Sequence, residues 1–219
     1  LSGSDAGNGF MFRRGYTFVC CAWQADLLPG DGRMLLDVPV ATEAGEPITG
    51  LARSEFTPES YGTNTMPLSG WINTRSHPTA SMDTADATLT RRRYATALRE
   101  NIPADQWSFG RDEGGIGLDG VARQSAIVPS ETNIYMESGF DPGWIYELVY
   151  TGKDPLVMGL GHLAVRDFIS FLKYDDVDGA GTANPVADIG IEKAYGWGRS
   201  QTGRIIRDFL YLGFNADAE

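Results

Sequence analysis

A glycine-rich segment near the end of the chain constrains the fold most strongly. It runs from residue 196 to residue 204 with the sequence Gly-Trp-Gly-Arg-Ser-Gln-Thr-Gly-Arg. The segment before it, residues 192–197, has the character of a strand, and in residues 205–214 the apolar side chains recur at helical spacing. Glycines placed in this way are typical of a tight turn from a strand into a helix. The sequence therefore predicts alternating strands and helices around this turn.

Four further segments extend this prediction to the rest of the chain. Residues 16–23 and 144–150 are continuous apolar runs, typical of strands buried on both faces of a parallel sheet. Residues 159–174 have the apolar spacing of an amphipathic helix. Residues 28–143 contain short alternating runs broken by turn residues, which indicates an antiparallel β-rich insertion. We predict an α/β core formed by residues 1–27 and 144–219, interrupted by the insertion at residues 28–143.

Composition and charge exclude several classes of function. A net charge of -11 is unfavourable for binding phosphate backbones, so we predict no nucleic-acid partner. No stretch approaches the roughly 20 apolar residues of a membrane span. The two histidines, His77 and His162, lie far apart, and the two cysteines are adjacent, so the spacing of a zinc site is missing. We expect neither a metal nor another cofactor. The basic run at residues 91–93 predicts a strand with a solvated face.

Ser200 is the candidate nucleophile within the glycine-rich turn. In a nucleophile elbow the serine adopts a strained backbone conformation, and the residues two before and two after it must be small. Gly198 meets this demand, whereas Thr202 departs from it. The backbone NH of Gln201, at the start of the following helix, would donate to a developing oxyanion. This arrangement predicts nucleophilic catalysis by Ser200.

Other interpretations of the same turn are possible. A phosphate-binding loop requires a lysine and then a hydroxyl residue, where this chain has Arg204 and Ile205. A dinucleotide fingerprint requires glycine at the position of Gln201. The segment could also be an ordinary structural turn without chemistry of its own.

Three blocks of the chain resemble a bacterial family of α/β-hydrolase domain proteins. They are Arg-Arg-Gly-Tyr-Thr-Phe-Val at residues 13–19 with Trp23 and Gln24 following, residues 145–173, and residues 195–211 around Gly-Arg-Ser-Gln-Thr-Gly-Arg. The resemblance implies a partial α/β-hydrolase fold, a mostly parallel sheet flanked by helices with a large antiparallel β-rich insertion. Residues 16–23 would be its fourth strand and residues 193–198 its fifth. Trp23 and Gln24 would then face the ligand side of the sheet as candidate substrate contacts.

The predicted function is serine-dependent hydrolysis of a small-molecule carboxylic ester through an acyl-enzyme at Ser200. The triad order in such hydrolases is serine, acid, histidine, and no histidine follows Ser200. We interpret His162 as a capping or surface residue and His77 as part of a polar loop. Because the chain starts at Leu1 without a methionine, we expect it to be cut at both ends, with the acid and the histidine in the missing part, and to be inactive alone. The alternative is a non-catalytic binding protein that uses the hydrolase core as a scaffold for the β insertion.

Overall fold

The computed structural model describes residues 7–30, 32–116 and 122–216. For residues 115, 116 and 123 it describes the backbone alone. These residues form two compact units. The first comprises the described residues up to Trp23 and those from Gly161 onward, and the second comprises residues 24–160. The predicted domain boundaries fall after residues 27 and 143, whereas the two units change after residues 23 and 160. The predicted cuts at the chain ends fall outside the described residues.

Short antiparallel strands build the second unit. The strands are β1 Thr42–Glu43, β2 Glu46–Pro47, β3 Thr49–Phe56, β4 Thr65–Pro67, β5 Thr88–Arg92, β6 Glu100–Ile102, β7 Ser108–Asp112, β8 Gly115–Ile116, β9 Ala122–Arg123, β10 Ile127–Tyr135 and β11 Ile145–Lys153. A four-stranded sheet has the order β3-β11-β5-β6, a three-stranded sheet has the order β4-β10-β7, and β1-β2 and β8-β9 are two-stranded sheets. Single turns of 3-10 helix occur at Thr84–Asp86 and Ala104–Gln106.

Strand β11 is the central strand of this unit. It pairs with β3 from Tyr146 to Lys153 and with β5 through five residues. Its side chains Tyr146 and Leu148 are completely buried, and the Tyr146 ring stacks on Phe56 with 5.5 Å between the ring centroids. One hydrophobic core holds these residues together with Phe109 and Ile134 of the three-stranded sheet. The apolar character of β11 therefore comes from its place at the centre of an antiparallel unit.

The first unit contains the two α-helices of the described chain. Helix α1 spans Leu160–Tyr174 and helix α2 spans Gln201–Tyr211, with 3-10 turns at Phe12–Arg14 and Ala187–Ile189. At Gly161 a side chain would overlap the backbone carbonyl of Trp23, so only glycine permits this close approach. The amphipathic helix predicted at residues 159–174 is confirmed by α1. Neither α1 nor α2 has the length and apolar character that crossing a bilayer requires.

The prediction of a partial α/β-hydrolase fold with a mostly parallel sheet is wrong. Every strand pair among the described residues is antiparallel. Residues 16–23 and 193–198 belong to no strand in the described ranges, and Phe18 is 58% exposed. Residues 144–150 contribute to β11, which is antiparallel. An apolar run shows that both faces of a strand are covered, but it does not fix the direction of the neighbouring strands.

Candidate active site

Ser200 has the most unusual backbone of the candidate site residues. Its φ is 56° and its ψ is -120°. Among the described residues only Ala44 and Asp154 are other non-glycine residues with positive φ. The ψ of Ser200 also places it outside the left-handed helical region, which lies near ψ of about +47°. A conformation of this kind costs on the order of 1–3 kcal/mol and persists only where the surrounding structure enforces it.

Gly198 and Thr202 enforce the conformation of Ser200. A side chain on Gly198 would overlap the carbonyl oxygen of Thr202 and would lie 2.8 Å from the backbone nitrogen of Gly203. The backbone NH of Arg199 donates to Thr202 Oγ1 at 2.7 Å, and Thr202 Oγ1 donates to the carbonyl of Arg199 at 2.8 Å. Thr202, which departs from the elbow pattern in sequence, thus closes the turn with its hydroxyl. The threonine hydroxyl makes two hydrogen bonds that a glycine at this position could not make.

Helix α2 begins directly after Ser200. The carbonyl of Ser200 accepts from the backbone NH of Arg204 at 3.1 Å, while the serine side chain makes no capping hydrogen bond. The first backbone NH groups of a helix have no partner within the helix, and the helix dipole places positive charge at this end. Ser200 and Gln201 are both exposed. In the described part of the chain, a hydroxyl without a capping hydrogen bond therefore stands beside the first NH groups of α2, of which Gln201 provides the nearest in sequence.

Comparisons of the chain with protein-family models, with curated proteins and with solved structures found no match. The resemblance to the bacterial hydrolase family therefore stays a prediction that rests on the quoted residues.

The predicted substrate contacts Trp23 and Gln24 are assigned to different units of the chain. Trp23 lies in the same compact unit as Ser200, but its described contact is the close approach of its carbonyl to Gly161. Gln24 belongs to the other unit, where its carbonyl accepts from the NH of Leu36 at 3.0 Å. Both side chains are half-buried. Their role as substrate contacts stays a prediction.

The two histidines are placed in different units. His162 stacks on Phe209 and Phe214, with ring centroids 6.3 and 5.3 Å apart, and its buried Nε2 has no hydrogen-bond partner in the described chain. His77 belongs to the second unit, where its carbonyl accepts from Tyr150 Oη at 2.8 Å. The imidazole of His162 thus contributes to aromatic packing, which differs from the predicted surface or capping role.

An ion-pair cluster in the second unit was not found from the sequence. Glu147, on β11, accepts from Arg99 Nε at 2.8 Å and from Arg53 Nε at 2.7 Å, and Arg92 Nη2 lies 2.5 Å from Glu55 Oε2. The side chains of Glu147 and Arg92 are 11% and 7% exposed. Hydrogen bonds from Arg99 and Arg53 lower the pKa of Glu147 to about 2, although burial acts in the opposite direction. The charges in this cluster are paired with one another, although the buried Nε of Arg92 has no hydrogen-bond partner in the described chain.

The solvated face predicted for residues 91–93 is wrong at Arg92, whose side chain is buried by this cluster. The sequence contained one indication of this ion-pair cluster. Glu147 stands alone within an apolar run, and a buried carboxylate requires a cationic partner. The identity of that partner depends on strand pairing and could not be read from local spacing.

A cavity of about 200 Å³ lies at the edge of the same sheet. Arg91 on its wall pairs with Glu100 and Asp141, each at 3.0 Å, and its guanidinium stacks 4.3 Å from the Trp144 ring centroid. The charged groups of this cavity, like those around Glu147, are paired with one another. In the described chain no three His, Cys, Asp or Glu side chains are grouped so as to hold a metal ion.

Proposed function

We propose that the protein is a serine-dependent carboxylic ester hydrolase in which Ser200 forms an acyl-enzyme. The observation that carries this proposal is the enforced backbone of Ser200, φ 56° and ψ -120°, with a hydroxyl that caps nothing. A serine that only starts a helix has an extended backbone, and its hydroxyl accepts from an NH of the first turn. The backbone of Ser200 is not extended and its hydroxyl makes no capping hydrogen bond, so a helix-capping role does not explain its conformation.

The chemistry follows from the groups around the Ser200 hydroxyl. Its Oγ attacks the carbonyl carbon of the ester, and the carbonyl oxygen becomes an oxyanion. The NH of Gln201 and the positive end of α2 stabilise this charge. The tetrahedral intermediate then expels the alcohol and leaves the acyl group on Ser200, and water cleaves the acyl-serine to return the free enzyme.

The proton of the Ser200 hydroxyl passes to a base during the attack, since neutral serine is a weak nucleophile. We assign this role to neither histidine of the chain. His162 is held in the stack with Phe209 and Phe214, and His77 belongs to the other unit. We propose that the proton acceptor is a base other than these two imidazoles.

Hydrolysis of a small neutral ester by the full-length protein tests this proposal. With p-nitrophenyl acetate, Ser200→Ala should lower turnover by about 10³-fold or more. Acid quenching followed by mass spectrometry should find the acetyl group on Ser200 of the unmodified protein. Ser138→Ala is the matched control, because Ser138 is also exposed but lies in the second unit. Unchanged turnover in Ser200→Ala would overturn the proposal.

A further inference from the structure

Strand β3 forms an open edge of the four-stranded sheet. It has eight residues, and in the described chain it pairs with β11 alone. The strands at the other edges of the three- and four-stranded sheets, β4, β6 and β7, have three, three and five residues. Backbone NH and carbonyl groups along a long open edge can pair with a further strand, and proteins usually shorten or cover such edges. The length of β3 therefore makes it the candidate for an interaction through its backbone.

Hydrogen bonds on the far side of β11 show which residues of β3 face outward. The carbonyl of Thr151 accepts from the NH of Ala80 at 2.8 Å. The NH of Lys153 donates to the carbonyl of Pro78 at 2.9 Å. Because backbone direction alternates along a strand, the even-numbered residues of β11 bond to β3, through even-numbered partners. The odd-numbered residues of β3 consequently direct their NH and carbonyl groups toward the open edge.

Only part of this outward-facing backbone is open. In the described chain, residues 49–56 form no backbone hydrogen bond other than those to β11. At Glu55, however, the neighbouring loop comes so close that a Cβ on Gly70 would lie 2.7 Å from the Glu55 carbonyl oxygen. Thr49, Leu51 and Arg53 lie before this point. Leu51 is 84% exposed, so a large apolar side chain stands at the middle of the open segment.

We propose that a second copy of this chain pairs with the open edge of β3, with the two β3 strands antiparallel and Leu51 opposite Leu51. Such a pair has two-fold symmetry, which closes the interaction at two copies. In this register Thr49 of each copy lies opposite Arg53 of the other, and Gly50 lies opposite Ala52. The two four-stranded sheets become one continuous sheet.

The side chains of the open segment favour this register over its neighbours. Two copies exchange hydrogen bonds only where odd-numbered, outward-facing residues meet. A register centred on Arg53 would set two guanidinium groups directly opposite each other, and like charges in that position are destabilising. A register centred on Ala52 would pair Leu51 with Arg53. Centring on Leu51 instead covers two exposed leucines with each other and keeps the pairing within the part of the edge that Gly70 leaves open.

Sedimentation velocity of the full-length protein over a range of concentrations tests the pairing. A single pair of short strands buries less surface than the roughly 1,600 Å² of a standard interface, so we expect reversible dimers with a dissociation constant on the order of 10 µM. Amide hydrogen exchange should show that protection of the Leu51 NH rises with concentration. Protection of the Ala52 NH, which faces β11, should be independent of concentration.

Charge substitutions at the centre of the pairing test the register. Leu51→Lys and Leu51→Glu each place like charges opposite each other, and each should raise the dissociation constant about tenfold. An equimolar mixture of the two variants should dimerise about as tightly as the wild type, because opposite charges then face each other. Leu98→Lys is the matched control and should leave the dissociation constant unchanged, since Leu98 is 92% exposed in the same unit but belongs to no strand.

Other occupants of the edge give different results. A wild type that stays monomeric up to about 1 mM would overturn the pairing with a second copy. If the Leu51 NH of such a monomer is nevertheless protected, another segment of the same chain covers the edge. Dimers that Leu51→Lys does not weaken would place the contact elsewhere on the molecule. Failure of the mixed variants to restore dimers would contradict the register centred on Leu51.

Discussion

The arginines around Glu147 and those around Ser200 differ in how their charge is satisfied. Around Glu147, Arg53, Arg92 and Arg99 are held by two glutamates, and the central carboxylate is largely buried. Around Ser200 the described arginines are exposed and unpaired, and the backbone of the serine itself is strained. The first region pairs its charges, and no residue of its ion pairs has a positive φ. The second retains a strained serine backbone, on which the proposed role of Ser200 rests.

The largest expected effect comes from breaking the satisfied region. Glu147→Gln removes the largely buried carboxylate that holds the half-exposed Arg53 and Arg99, and it should lower the free energy of unfolding by about 3 kcal/mol. Urea denaturation followed by tryptophan fluorescence measures this change. Glu59→Gln, at an exposed acid, should change stability by less than about 0.5 kcal/mol. If the free energy of unfolding falls by the same amount in both variants, the ion-pair cluster does not stabilise the sheet.

Acid should weaken the same region. The pKa of Glu147 is lowered from 4.5 to about 2 in the folded protein, so the unfolded chain binds the proton more readily. The stabilisation is fully present above pH 4.5 and is lost as the pH falls toward 2. Because solvent screens the half-exposed partners Arg53 and Arg99, we expect a loss of about 2 kcal/mol across this window. A stability difference between the wild type and Glu147→Gln that stays constant with pH would contradict this linkage.

A side chain at Gly198 should disturb the strained region. Gly198→Ala places a methyl group against the carbonyl oxygen of Thr202, and we expect a loss of about 2 kcal/mol together with lower reactivity of Ser200. In Gly196→Ala the new carbon would lie 3.7 Å from Ile206 Cδ1, an ordinary contact. Thermal unfolding of this pair measures the difference. Equal stability of the two variants would show that the close approach at Gly198 is unimportant.

The smallest expected effect has the opposite sign. Ser200→Gly should raise the free energy of unfolding by about 1 kcal/mol, because glycine accepts φ 56° and ψ -120° without strain. Ser200→Ala retains the strained backbone and should leave the stability close to that of the wild type. Chemical denaturation of the three proteins compares them directly. A destabilised Ser200→Gly variant would mean that the serine is not strained.

Local features of the molecule could be predicted from its sequence. Helix α1 was found within a residue of its observed start because its apolar spacing is a property of fifteen neighbouring residues. The turn around Gly198 and Ser200 was also identified, since its constraints come from residues within four positions of the serine.

Features that depend on distant residues could not be predicted. Strand β11 was expected in a parallel sheet, but its partners β3 and β5 lie far away in sequence and run antiparallel to it. The burial of Arg92 depends in the same way on Glu55, which reaches it only through strand pairing. Whether residues 16–23 form a strand is likewise decided by the availability of a pairing partner and not by the apolar run itself.

Labelling of the full-length protein with a fluorophosphonate, followed by peptide mass spectrometry, tests the reactivity of Ser200 most directly. We predict that the label is found on Ser200, that exposed serines such as Ser138 remain unmodified, and that Ser200→Ala is not labelled. Labelling that persists in Ser200→Ala, or that is spread over several exposed serines, would contradict a nucleophile at this position.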